Sequence, residues 1–192
     1  SSAPSSPCEV GSYYPWDVAF VLDRSRTAWE SFLTDAAKKG TRAFLAKMDL
    51  APEQAAVLSF SASVAVDQAL TTDEALVNAA LDRLRKDAGS AIGDAIVAAK
   101  NELTSGRHLG TNQQVIVLYT DGEVTSGQDA IAAAQQAKQA GIRIIAVGIG
   151  ANVYQDVMRS IASSPGDFYY VPNRDDVPAI MSSVADKLRC GQ

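Results

Sequence analysis

The sequence predicts an α/β domain. It should hold a doubly wound, mostly parallel central sheet of six strands, with a short antiparallel edge strand and helices on both faces. Three observations carry this. Short, continuous apolar runs recur along the chain, as strands buried on both faces do; segments with helical period lie between them; and SVAV at 63–66 follows one run closely enough to pair with it as a hairpin. Buried strands alternating with amphipathic helices favour right-handed crossovers onto both faces of one sheet.

The first run, DVAFVLD at 17–23, is bounded by Pro15 before it and charge after it. A helix from about Thr27 to Met48 follows, with Trp29, Leu33, Ala36, Phe44 and Met48 on one side and Lys38, Lys39 and Arg42 elsewhere. The next strand is AAVLSF at 55–60, then the SVAV hairpin strand. Helices are expected at 73–85 and 91–104, a strand VIVLYT at 115–120, and a helix at 128–140. The strand IRIIAVGI at 142–149, a helix at 153–162, the strand FYYV at 168–171 and a helix at 176–188 complete the order. Residues 1–7, SSAPSSP, read as a linker or stalk remnant, 8–190 as one domain and 191–192 as a tail.

At 192 residues, with 47% hydrophobic and 20% charged side chains, the chain suits one domain with a sizeable core. Its net charge of −5 argues against nucleic acid and against adsorption to an anionic membrane, since both need clustered Lys and Arg. No run approaches the ~20 apolar residues of a membrane span, and there is no charged start before an apolar signal core. With Ser1 first, the chain reads as a mature protein or as part of a larger one. Cys8 and Cys190 lie too far apart for a redox pair or a compact zinc motif. If the termini meet they can form a single disulfide, which implies an oxidising compartment; otherwise they are two unrelated thiols.

In doubly wound folds ligands sit beyond the carboxyl ends of the strands, where strand order reverses. The first strand ends in Asp23-Arg24-Ser25-Arg26-Thr27, and the strand at 115–120 ends in Thr120-Asp121-Gly122. A glycine-flanked hydroxyl, Ser90, enters the helix at 91. If these loops converge, two carboxylates and three hydroxyls form the all-oxygen set that a hard divalent cation wants, with Mg2+ keeping some waters. Taken singly, each residue has a plainer role. Ser25, Thr27 and Ser90 precede helices and suit caps, Thr27 with Glu30 has capping-box spacing, and Asp121-Gly122 is a turn signal. The pair of carboxylates tips the balance, because facing each other they repel unless something positive lies between them.

DRSRT at 23–27, GSAIG at 89–93 and VLYTDG at 117–122 together resemble the signature of the von Willebrand factor type A domain, the integrin I-domain-like fold, and the element order fits from about 16 to 188. The resemblance implies a metal-ion-dependent adhesion site with Asp23, Ser25 and Thr27 as first-loop ligands, Ser90 in place of the usual threonine, and Asp121 acting often through water. It implies Mg2+, or Mn2+ or Ca2+, whose open position accepts an acidic side chain from a protein or glycoprotein partner, outside the cell or at its surface. Arg24, Arg26 and Glu123 are candidates for the ligand rim. Arg26 would oppose a cation or compete for the carboxylates, and could equally hold an anionic partner. The fold further implies that Cys8 and Cys190 are neighbours at the pole opposite the crevice, where a bridge would tether the last helix.

Two other readings compete. A metal-free domain would use the hydroxyls as caps and associate through another surface. DxSxT also looks like the haloacid-dehalogenase phosphatase motif, with Asp23 as nucleophile and Asp175-Asp176 as late metal ligands. Ser25 would then stand where a general acid is needed, and a serine cannot protonate a leaving group at neutral pH. GxSxG and GxxxxGK[ST] motifs are absent, Gly148-Ile149-Gly150 lacks the third glycine of a dinucleotide fingerprint, and His108, the only histidine, reads as a solvated loop residue. The expectation is a binding module and not an enzyme.

Overall fold

The computed structural model describes residues 14–25 and 32–192. Its strands are β1 (Trp16–Asp23), β2 (Gln54–Phe60), β3 (Val64–Thr71), β4 (Gln113–Thr120), β5 (Arg143–Ile149) and β6 (Phe168–Val171). The helices are α1 (Leu33–Leu45), α2 (Glu74–Arg83), α3 (Ile92–Leu103), α4 (Ala130–Gln139), α5 (Gln155–Ile161) and α6 (Val177–Arg189). Strand order is β3-β2-β1-β4-β5-β6, parallel throughout except for antiparallel β3 at one edge. The expected architecture is thus the observed one.

All eight residues of β1 are buried, which is why it reads as an unbroken apolar run. Alternate side chains serve opposite faces. Trp16, Val18, Phe20 and Leu22 pack with α1, α2 and α6, while Ala19 and Val21 pack with α3, α4 and α5. Phe44 of α1 meets Phe20 edge-on at 5.2 Å and Trp16 at 6.0 Å. A methyl group on Gly40 would stand 2.7 Å from Val177 Cγ1, so the glycine lets α1 and α6 approach closely.

The helix starts follow their caps. Asp73 accepts from the Ala75 N–H at the start of α2, and Asp129 accepts from Ile131 and Ala132 at the start of α4. Two expectations differ from the structure. β3 runs to Thr71 and not to 66, with two register shifts opposite Ala55–Leu58, of which the one between Val57 and Leu58 takes up Asp67 as an extra residue. Among the described residues α1 begins at Leu33; the expected start at Thr27, the capping pair with Glu30, and Trp29 lie outside them, as do Cys8 and the 1–7 linker.

At the amino end of β1, Asp17 is fully buried and collects four donors. Asn112 Nδ2 lies at 2.8 Å, His108 Nδ1 at 2.7 Å, the Leu109 N–H at 3.1 Å and Gln54 Nε2 at 3.2 Å. His108 is therefore a structural residue, its side chain 20% exposed and closed over Asp17, and not a solvated one. No described helix is long and apolar enough to cross a membrane.

Candidate functional site

β1 pairs with β2 on one side and β4 on the other, and the chain winds outward in both directions from there. The β1/β4 boundary is the switch point, and in such folds ligands sit beyond the carboxyl ends of the strands that meet there. Asp23 is the last residue of β1 and is fully buried. Its Oδ1 accepts from the Ser25 N–H at 2.8 Å, and its Oδ2 accepts from the Thr120 hydroxyl at 2.6 Å, joining the ends of β1 and β4. Thr34 of α1 donates to the Asp23 carbonyl at 2.9 Å. Burial pushes the Asp23 carboxyl up to about 6 against the hydrogen bonds from Ser25 and Thr120, and the negative charge of nearby Asp121 adds to the rise.

Asp121, 6% exposed, opens the loop after β4. Its Oδ1 accepts from the Glu123 N–H at 2.8 Å, while Gly122, at φ 85°, makes the turn that only glycine adopts freely. Thr120 completes the turn, accepting from the Gly122 N–H while donating to Asp23. Neither Asp23 nor Asp121 forms an ion pair among the described residues.

Ser90 lies at the start of α3, whose N-cap is Ala91 without a side-chain cap. The Ser90 hydroxyl is buried and has no hydrogen-bond partner among the described residues, and the helix has no side-chain cap, so the capping role is not the one it plays here. The loop that begins at Asp121 reaches it, since the Thr125 N–H donates to the Ser90 carbonyl at 3.0 Å. Ser25 sits in an isolated bridge to Asp87. Asp23, Ser25 and Asp121 are thus gathered at the switch point, and Ser90 is bound to the same loop as Asp121. Thr27 and Arg26 fall outside the described residues.

Arg24 turns toward the β2–β3 side, where its guanidinium donates to the Arg85 carbonyl at 3.3 Å and its charge favours the ionised form of Asp67. Burial dominates at Asp67 and raises its carboxyl. Asp175 and Asp176 lie in a short 3-10 turn before α6, with β4 and β5 between their strand and β1. Asp175 lines a cavity of about 410 Å³ with Phe32, Asn152 and Arg174, and the Arg174 guanidinium stacks 3.6 Å over the Phe32 ring. Thr120, Thr34 and Thr125 were not singled out from sequence. Thr120, adjoining the Asp-Gly turn, was the one with a readable signal.

The donor chemistry suits a hard cation. Among the described residues no three His, Cys, Asp or Glu side chains gather as a metal cage, so a cation here would draw on two carboxylates, hydroxyls and water. Two buried carboxylates with no cationic partner among the described residues, one of them on the loop bound to Ser90, whose buried hydroxyl also lacks a described partner, form the arrangement that such an ion would relieve.

Similarity to known proteins agrees with the fold. The chain is 29% identical over 180 residues to matrilin-1 of Gallus gallus, covering 88% of this chain and 35% of that protein. Proximal thread matrix protein 1 from the mussel byssus, solved with zinc in its MIDAS motif, superposes with a TM-score of 0.81 at 17% identity over 93% of this chain and 48% of that one. The vWF domain of the pilus tip protein Mfa5 of Porphyromonas gingivalis gives 0.76 at 13% identity, over 94% and 97% of the two chains. The chain thus spans about a third of matrilin-1 and about half of the byssus protein. The family model for the von Willebrand factor type A domain matches residues 17–183, from the strand that carries Asp23 into the final helix, and the chain belongs to that family.

Proposed function

We propose that this domain binds a protein or glycoprotein partner through a divalent cation held in the β1/β4 crevice. The observation that carries the reading is the Asp23–Asp121 pair, brought together at the switch point without a cationic partner among the described residues. Asp23, Ser25, Thr27 and Ser90 would hold Mg2+ or Mn2+, with Asp121 acting directly or through water. When bound, the cation supplies a Lewis-acidic position for an acidic side chain of the partner. Asp23 takes its orientation from the Ser25 amide and the Thr120 hydroxyl, Asp121 takes its own from the Glu123 amide, and the exposed Val124 and Tyr154 flank the Asp121 turn as apolar contact surface.

The same reading places the domain outside the cell or at its surface, within a longer chain. It includes a bridge between Cys8 and Cys190, supported by the fact that Cys190, just beyond α6, is not a free thiol. Calorimetric titration with Mn2+ and Mg2+ tests the metal. Wild type should bind at or below the millimolar range, and Asp121→Ala should weaken binding about ten-fold or more. Absence of binding to wild type at millimolar metal removes the cation from the mechanism, and partner capture that survives EDTA removes the bridging role.

A further inference from the structure

The loop after β4 does more than present Asp121. It returns onto the first turn of α3 and takes hold of Ser90 by its backbone. The Ser90 N–H donates to Thr125 Oγ1 at 2.7 Å, and the Thr125 N–H donates to the Ser90 carbonyl at 3.0 Å, with the Ser126 N–H reaching the same carbonyl at 3.3 Å. Both backbone groups of Ser90 are therefore engaged by one short segment, and its buried hydroxyl is the polar group left over.

The rest of the loop is seated as firmly. Gln128 donates to Asp94 Oδ1 through its N–H at 3.2 Å and its Nε2 at 3.0 Å. A Cβ on Gly93 would stand 2.2 Å from the Gln128 carbonyl oxygen, and one on Gly127, at φ 83°, would stand 2.6 Å from Asp94 Oδ2. Residues 121–128 and 90–94 are thus one packed unit. Asp121 lies at one end of it, and Ser90 is gripped near its middle.

We propose that Thr125 is a positioning residue, whose side chain and amide together hold Ser90 so that its hydroxyl and the Asp121 carboxylate keep a fixed separation. The inference rests on the metal reading above and deepens it. Thr125 uses its oxygen as the acceptor for the Ser90 amide and is not itself assigned as a ligand. Groups that orient ligands from behind govern metal affinity nearly as strongly as the ligands do, because a preset pair loses no freedom when the ion arrives.

The test compares wild type, Thr125→Val and Thr125→Ser by Mn2+ titration, with thermal melts and amide exchange of Ser90 recorded in EDTA. Thr125→Val keeps the size of the side chain and removes the acceptor. It should melt cooperatively, exchange the Ser90 amide faster and bind Mn2+ about ten-fold more weakly, while Thr125→Ser should stay within about three-fold of wild type. Wild-type affinity in Thr125→Val, or equal weakness in the valine and serine variants, overturns the inference and leaves the metal reading standing. A wild type that takes up no Mn2+ overturns both.

Discussion

Burial raises the carboxyl of Asp23 from 3.8 to about 6, and the sign of that shift decides how the metal-free domain answers to pH. Between those two values the folded state binds more protons at this site than the unfolded chain does. Its contribution to stability is therefore full below about pH 4 and is lost as pH rises through 6, a loss of about 3 kcal/mol at most. Glu102 works in the opposite sense. The Arg107 fork and the Leu70 amide hold its carboxyl low, so the stability it supplies disappears only as pH falls through its depressed value. Comparing wild type with Asp23→Asn isolates the first effect. In EDTA the wild-type melting temperature should fall relative to Asp23→Asn between pH 4 and 7, and saturating Mg2+ should remove that fall in wild type alone. Parallel pH profiles for the two proteins would show that Asp23 carries no such penalty.

The packed unit of α3 and the loop after β4 also makes a prediction at the scale of elements. Gly93→Ala would drive a methyl group into the Gln128 carbonyl, a backbone atom that cannot swing aside, and should cost about 2 kcal/mol or more. Urea unfolding reads the loss, and Mn2+ titration of the same variant should show weakened binding, because the displaced loop carries Asp121. Unchanged stability would mean that the loop shifts without cost.

Much of this arrangement was legible in the sequence, for reasons particular to each element. β1, β4 and β5 are buried on both faces, so their apolar runs are unbroken, and the Asp residues at the ends of β1 and β4 follow as abrupt changes of chemistry. β3 reads as ending at 66 because Asp67 and Gln68 interrupt its apolar pattern where the register shifts. Thr125 carries no signal in the sequence, since its partner Ser90 is 35 residues away and no local spacing joins them. His108 reads as solvated in the sequence for the same reason, as its carboxylate lies 91 residues earlier.

Across the whole molecule, polar chemistry is divided between two poles. Asp17, the second residue of β1, and Asp23, its last, stand roughly 20 Å apart at 3.3 Å per residue. The four donors on Asp17 close the pole away from the crevice. Asp17→Ala should therefore cost roughly 2 to 4 kcal/mol, because it strands several buried donors, while leaving Mn2+ affinity within error of wild type. Equal losses in stability and affinity would contradict the separation. The proposed Cys8–Cys190 bridge is a property of the whole chain, and closing so long a loop would stabilise it by up to about 5 kcal/mol in the chain-entropy model. Reductant should lower the melting temperature, and identical melts with and without it would remove the bridge.

The two margins of the sheet have a colloidal consequence. β3 carries register shifts along its pairing with β2, and β6 is only four residues long. Neither offers the long, flat row of free amides and carbonyls on which a strand from a neighbouring molecule could extend the ladder. Edge-to-edge extension of the sheet between copies of this domain is therefore disfavoured at both margins.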